Sequence, residues 1–257
     1  MNPDFPAHRF AAQSTDALAR PKGRPIVLLP VGAVEQHGPH LPLGVDIWLA
    51  NRIANAVAAE VGGIFVAEPL PYGTSAHHRN FAGTMSLKQA TFIRVLADLG
   101  HNLYDDGYFP VFFNGHGGNR PALSVAVATL GEEGVRSAAI TYFEYIREDA
   151  TRILPNAMDT SGHACALETS LMMHLFAATV KTDRIPEGGT PPCWPDPHLY
   201  SGPAPNLWRP FDEMNPTGVI GTPSDATPEH GAALYRAAIA ANAEVLRNMQ
   251  QMLKDGE

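Results

Sequence analysis

The sequence has little cysteine: two in 257 residues, Cys165 and Cys193. Neither belongs to a CxxC pair, so a disulfide framework is excluded and a reducing cytoplasm is the expected compartment. Charge is also scarce. Asp, Glu, Lys and Arg make up 17% of the chain, the net charge is −8, and no block of Lys or Arg occurs. A nucleic-acid surface and an anionic-membrane surface are therefore not expected. Long apolar runs are missing too. No stretch approaches the roughly 18 apolar residues that a membrane-spanning helix needs. The first 21 residues hold no apolar core of a secretory signal. There is no internal repeat and no low-complexity tract.

What is present is enough apolar material, 45% of the residues, to build a sizeable core. The length suits one large α/β domain, 1–257. Ile26-Val-Leu-Leu29 reads as a buried strand. Apolar residues then recur at helical spacing from Val45 to Val61, and Gly62-Gly63 stops that helix. A second strand follows at 64–67. Ser86 is placed to cap a helix from Leu87 to about Asp105. A third strand spans 107–113, a helix runs from Arg120 to about Leu130, and a fourth strand spans 138–143. Strand alternating with helix in this rhythm predicts an α/β fold with a mostly parallel sheet covered on both faces. A helix is expected from Gly162 to about Val180, and a long amphipathic one from about Glu229 to Leu253. Between them, 186–228 is rich in Pro, Gly and large aromatics, including Trp194, Tyr200, Trp208 and Phe211. A loop of that length suggests a lid or an interface.

Two stretches at strand carboxyl ends carry the chemistry. In the first, Glu35, His37 and Asp46 sit within a loop stiffened by Gly32, Gly38, Pro39, Pro42 and Gly44. Glu35 and His37 are two apart, so on extended backbone they face one side. Asp46 opens the following helix, where the helix dipole favours a carboxylate. In the second stretch, His116 lies among glycines in Asn114-Gly-His-Gly-Gly-Asn119. In parallel sheets, ligands bind beyond such strand ends. The donor set is mixed N and O without sulfur. It suits Zn²⁺, Mn²⁺, Co²⁺ or Fe²⁺ rather than a thiolate structural zinc. Asp46 has two oxygens with which to bridge two ions, and such a pair supports hydrolysis by lowering the pKa of bound water to roughly 7. Ser75, His77, His78 and Arg79 face the same end and are candidates for substrate contact. The Gly117 and Gly118 N–H groups, with Asn119 beside them, are candidates for holding an oxyanion or anionic substrate group.

These motifs, Gly32-Ala-Val-Glu-Gln-His-Gly-Pro-His-Leu-Pro42, Asp46, Phe81-Ala-Gly-Thr-Met-Ser-Leu87, Asn114 to Asn119 and Glu168-Thr-Ser170, resemble the creatininase (creatinine amidohydrolase) family. The resemblance runs from about residue 25 to the C-terminal helix. It implies a three-layer α/β/α fold, two divalent ions per chain (Zn²⁺ first, Mn²⁺ or Fe²⁺ as alternatives), and cleavage of a C–N amide, cyclic amide or formamide by metal-bound hydroxide. It also implies a homohexamer. By position, Glu35 and His116 would hold one ion, His37 the other, and Asp46 both. The family's further carboxylate, two residues after the NGH histidine, is replaced here by Gly118. That moves the expected substrate away from creatinine toward the NGHGGN branch, in which Glu168 would supply the missing ligand. This branch includes formamide hydrolases, mycofactocin-maturation peptidases and sugar-derivative hydrolases. His163 stands where the family has a proton donor to the leaving nitrogen, although the following His-Ala-Gly-Glu pattern reads His163-Ala-Cys-Ala166 here. Alternatives with the same centre are hydrolysis of an oxidised sugar or cyclitol and cleavage of a modified peptide. An alternative of another class is a non-catalytic, metal-containing oligomeric binding protein.

Overall fold

The computed structural model describes residues 7–19, 21–155, 162–188 and 208–255. A short helix α1 (Thr15–Leu18) precedes strand β1 (Ile26–Val31), helix α2 (Val45–Val61) and strand β2 (Phe65–Val66). Helix α3 (Gln89–Asp105), β3 (Phe109–Asn114), α4 (Arg120–Glu132), β4 (Ala138–Thr141) and α5 (Arg147–Ile153) follow. Then come α6 (Ala166–Leu175), the short α7 (Phe211–Met214) and the long α8 (Pro228–Asp255). The four strands are parallel and lie in the order β2-β1-β3-β4.

Alternation along the strands divides the core. Ile26 and Leu28 of β1, with Val111 and Phe113 of β3, pack against α2, α6 and α8. Leu29, Val31 and Phe112 point to the other face, onto Phe92 and Leu96 of α3 and Leu123 and Leu130 of α4. The result is a three-layer α/β/α arrangement. Helix α2 has the predicted bounds because one stripe of it (Leu49, Ile53, Val57) is fully buried. Each such side chain contributes about 1.5–3 kcal/mol relative to exposure.

The order of strands locates the site. The chain leaves β1 toward β2 on one side and returns as β3 on the other. The β1–β3 boundary is thus the point where the connections diverge, and its carboxyl end is the expected ligand crevice. The register pairs Val31 with Asn114, so the loops that follow these strands start side by side.

Two elements differ from the sequence expectation. Ser86 does not cap α3; its hydroxyl accepts the Ser75 N–H at 2.8 Å instead, and Lys88 stands at the helix start without a side-chain cap. Helix α6 is shorter than the periodicity suggests. Residues ahead of it are drawn into an antiparallel bridge, with mutual N–H···O bonds of 2.9 Å between His163 and Ile220, and Ala164 takes a left-handed φ of 52°. Within the Pro/Gly-rich stretch, 189–207 lies outside the described residues, and so do Cys193, Trp194 and Tyr200. Its described end carries α7, whose Phe211 is buried over the site.

Candidate metal centre

The loop after β1, the start of α2, the loop after β3 and the start of α6 converge. Asp46 is buried near the start of α2 and spans two histidines. Its Oδ1 lies 3.2 Å from His37 Nε2 and its Oδ2 lies 3.1 Å from His116 Nδ1. Glu35, fully buried, brings Oε1 to 3.3 Å from His116 Nδ1. Glu168 Oε1 lies 3.8 Å from His37 Nε2, and its Oε2 accepts the Ala164 N–H at 2.6 Å. Glu168 thus contacts both the left-handed turn and the cluster. Among the described residues, three groups of side chains have ligand atoms within 4.8 Å of one another: Glu35/His77/His116, Glu35/His37/His163 and His37/Asp46/Glu168.

The hydrogen bonds around the histidines show what the cluster suits. His37 Nδ1 lies 3.1 Å from the Glu35 carbonyl, and His116 Nε2 lies 3.1 Å from the Thr74 carbonyl. Carbonyls only accept, so each ring donates that N–H and turns its other nitrogen toward carboxylate oxygens. A ring nitrogen facing a carboxylate at 3.1–3.3 Å needs a cation there, a proton on the ring or a metal ion between the two. Both oxygens of Glu35, His37 Nε2 and Asp46 Oδ2 are buried without hydrogen-bond partners. Without an ion, a proton on the ring meets the need. Burial pushes His37 down in pKa, but Asp46 outweighs it and holds the ring well above its ordinary value; Glu35 does the same for His116. Divalent ions fit the donor set and its orphaned atoms.

The centre opens into a cavity of about 230 Å³. Asp46, His116, His163, Glu168, Gly117 and Gly118 line it, together with His77, His78, Trp208 and Phe211. Trp208 is mostly exposed. His163 is buried, with Nε2 2.6 Å from the Gln36 carbonyl and Nδ1 3.7 Å from Glu35 Oε1. Burial, reinforced by nearby His37, holds His163 well below the ordinary imidazole value, so the ring is neutral. His77 is half-buried beside His116, its ring parallel to that ring at 5.6 Å, and burial lowers its pKa to about 3. At Gly118 an added Cβ would lie 2.4 Å from His116 Nε2 and 2.7 Å from His77 Cε1, so no side chain fits where the family places its carboxylate.

Two expected substrate contacts are used elsewhere. Ser75 is fully buried with its hydroxyl 3.5 Å from His116 Nε2 and does not line the cavity. Asn119 accepts from Thr74 N at 2.9 Å and donates to Gly32 O at 3.0 Å, tying the two loops together. Gln36, His78 and Phe211 carry more of the site than the sequence indicated. Phe211 stands 4.0 Å from the His78 ring, and His78 stacks on His163 at 4.3 Å. Only the ring chemistry of His78 hinted at its place; nothing local marks Gln36 or Phe211. His40, also unflagged, is buried against Thr169 at 2.9 Å, and burial lowers its pKa to about 4.

The creatininase family profile, described as creatinine amidohydrolase, matches residues 11–246. This chain belongs to the creatininase family. It is a metal-dependent hydrolase of C–N bonds by that membership. It is 33% identical over 232 residues to the mycofactocin precursor peptide peptidase of Mycolicibacterium smegmatis, covering 88% of this chain and 86% of that one. It is 29% identical over 178 residues to the creatinine amidohydrolase of Pseudomonas putida, covering 62% and 68% of the two chains. Among solved structures, a mutant creatininase complexed with creatine superposes with a TM-score of 0.77 at 24% identity, over 95% of this chain and 99% of that one. The structure called "Creatininase Mn" gives 0.72 at 24% identity over 88% and 91%. At that identity the structural likeness speaks for the fold.

Proposed function

We propose that the chain, as one domain, cleaves a C–N amide bond of a small molecule, such as a cyclic amide or formamide, using two divalent ions. The observation that carries this is the pairing of the two Asp46 oxygens with one ring nitrogen each of His37 and His116, whose other nitrogens are tied to backbone carbonyls. Glu35 and His116 would hold one ion, His37 and Glu168 the other, and Asp46 both. Zn²⁺ is the leading candidate, with Mn²⁺ or Fe²⁺ as alternatives. Bound there, the ions would supply Lewis acidity and a water of lowered pKa. The residues supply the rest. His163, neutral and with its Nδ1 lone pair inward, takes the proton of the attacking water and returns it to the departing nitrogen. The Gly117 and Gly118 N–H groups face the carbonyl oxygen as it gains charge. Phe211 keeps water from the stacked imidazoles.

A second reading keeps the same centre and places the amide in a modified peptide. It is favoured by the fuller coverage of the chain by the peptidase relative than by the creatinine amidohydrolase. A homohexamer in the cytoplasm is the assembly and compartment we infer from the family resemblance and the cysteine content. The test is to offer metal-loaded protein creatinine, formamidopyrimidines, short peptides and keto-inositols. Metal-dependent opening of a cyclic amide or release of an amine from an acyclic one supports amide hydrolysis, with peptide turnover alone selecting the second reading. Turnover of keto-inositol alone would overturn both.

A further inference from the structure

Glu35 is fully buried, and three imidazole nitrogens approach its Oε1: His78 Nε2 at 3.3 Å, His116 Nδ1 at 3.3 Å and His163 Nδ1 at 3.7 Å. Which of them carries a hydrogen is decided on the far side of each ring. His116 gives its other N–H to the Thr74 carbonyl and His163 gives its own to the Gln36 carbonyl. In the neutral, ligating form of the rings both therefore turn lone pairs toward Glu35.

His78 is arranged the opposite way, and the Gln36 side chain is the reason. Gly38 N–H must donate, so its contact of 2.9 Å identifies Gln36 Oε1. The Gly218 carbonyl must accept, so its contact of 3.0 Å identifies Gln36 Nε2. The amide orientation is thereby fixed at both ends. Its remaining hydrogen points at His78 Nδ1, 2.9 Å away, and that nitrogen has to be the acceptor. The proton of His78 is then on Nε2, facing Glu35. The packing is close enough to hold this arrangement: a Cβ at Gly218, where φ is +73°, would lie 2.3 Å from Gln36 Oε1.

We propose that Gln36 is a positioning residue which fixes His78 as the Nε2–H tautomer and so turns an imidazole N–H toward the buried Glu35 carboxylate. At 3.3 Å the Nε2–H lies beside Glu35 Oε1 without the alignment of a full hydrogen bond, so it acts on the carboxylate as a nearby dipole. The donor orients Glu35 toward an ion, the role that outer hydrogen bonds play around metal-ligating side chains. Gln36 also sets His163 through its carbonyl, so one residue gives the two stacked rings opposite polarity: an N–H from His78 and a lone pair from His163. This inference rests on Glu35 being a ligand, as proposed above.

The test uses the full chain with ¹⁵N-labelled histidine, metal-free and Zn²⁺-loaded, and two-bond ¹H–¹⁵N correlation spectra. The His78 signals are assigned by their loss in His78→Gln. Wild type should show His78 protonated at Nε2 in both forms. Gln36→Glu, nearly isosteric, should shift that proton to Nδ1 and weaken Zn²⁺ binding at the Glu35 side by about 10- to 100-fold in chelator competition. His78→Ala should weaken it similarly. His78→Gln, whose amide N–H takes the place of Nε2–H, should restore most of it. Protonation of wild-type His78 at Nδ1, or unchanged Zn²⁺ affinity in both Gln36→Glu and His78→Ala, would overturn the proposal. The tautomer is also read without metal or substrate, so failure of the hydrolase reading shows separately, as absent turnover in wild type.

Discussion

Glu168 makes two separable contacts, and a pair of variants separates them. In Glu168→Gln the amide oxygen still accepts the Ala164 N–H, now at 2.6 Å, but the anionic oxygen facing His37 is gone. Losing a ligand should exceed the loss from removing an outer partner. We expect affinity for the ion on the His37 side to fall at least about 100-fold, about 2.7 kcal/mol. Glu168→Ala removes the acceptor as well. Ala164 is fully buried, so its N–H is left unsatisfied at a cost of about 1–3 kcal/mol, in a residue already held at positive φ. With metal stripped from both variants, Glu168→Ala should therefore melt below Glu168→Gln, by about 2–4 °C for each kcal/mol in a chain of this size. Metal content by mass spectrometry, chelator competition and thermal melts are sufficient assays. If Glu168→Gln holds both ions at wild-type affinity, the replacement of the carboxylate missing at Gly118 lies elsewhere. If the two stripped variants melt together, the Ala164 contact contributes nothing to stability.

Other expectations follow from the same geometry. His163→Asn should keep its metal while turnover falls by about 100-fold or more, the scale of lost general acid–base catalysis; unchanged turnover would demote His163 to a structural residue. Phe211→Ala removes a ring that is 5% exposed in a small satellite cluster with Met214 and Ile220, and should cost about 3 kcal/mol in denaturant unfolding; no change in midpoint would remove Phe211 as the cover of the site. Melting of metal-free protein should peak near pH 6.5. The raised His37 and His116 stabilise fully below their unfolded value and lose that contribution as pH rises through their folded values. The lowered His78 and His163 lose theirs as pH falls below 6.5. Metal-loaded protein should instead gain stability from pH 6 to 8, because protons compete with ions at the same nitrogens; a monotonic rise in the metal-free protein would contradict this.

Much of the architecture was legible because it is written locally. The apolar stripe of α2 and its Gly62-Gly63 stop are contiguous in sequence, and the helix has the bounds they imply. Glu35, His37 and His116 were legible because they lie in loops that leave strand carboxyl ends, and Asp46 because it opens the next helix; the sheet order brings those loops together. What was not legible depends on distant partners. The orientation of Gln36 is set by Gly218, 182 residues away, and the path ahead of α6 is set by its bridge to Ile220. Periodicity carried the predicted helix through Gly162–Cys165 because nothing local marks Ala164 as left-handed. Ser75 and Asn119 were read as substrate contacts from their position in the loops, yet both are buried. The Asn119 side chain serves backbone groups that would otherwise be unsatisfied, and the Ser75 hydroxyl lies against the His116 ring.

The central claim is a pair of ions held across Asp46, and anomalous X-ray diffraction from a metal-loaded crystal tests it most directly. The account predicts two peaks, one on the side of Glu35 and His116 and one on the side of His37 and Glu168. Both should lie in contact with Asp46, and both should be lost in Asp46→Ala. Metal-loaded crystals with no peak between these side chains, or with Asp46 turned away from every ion, would contradict it.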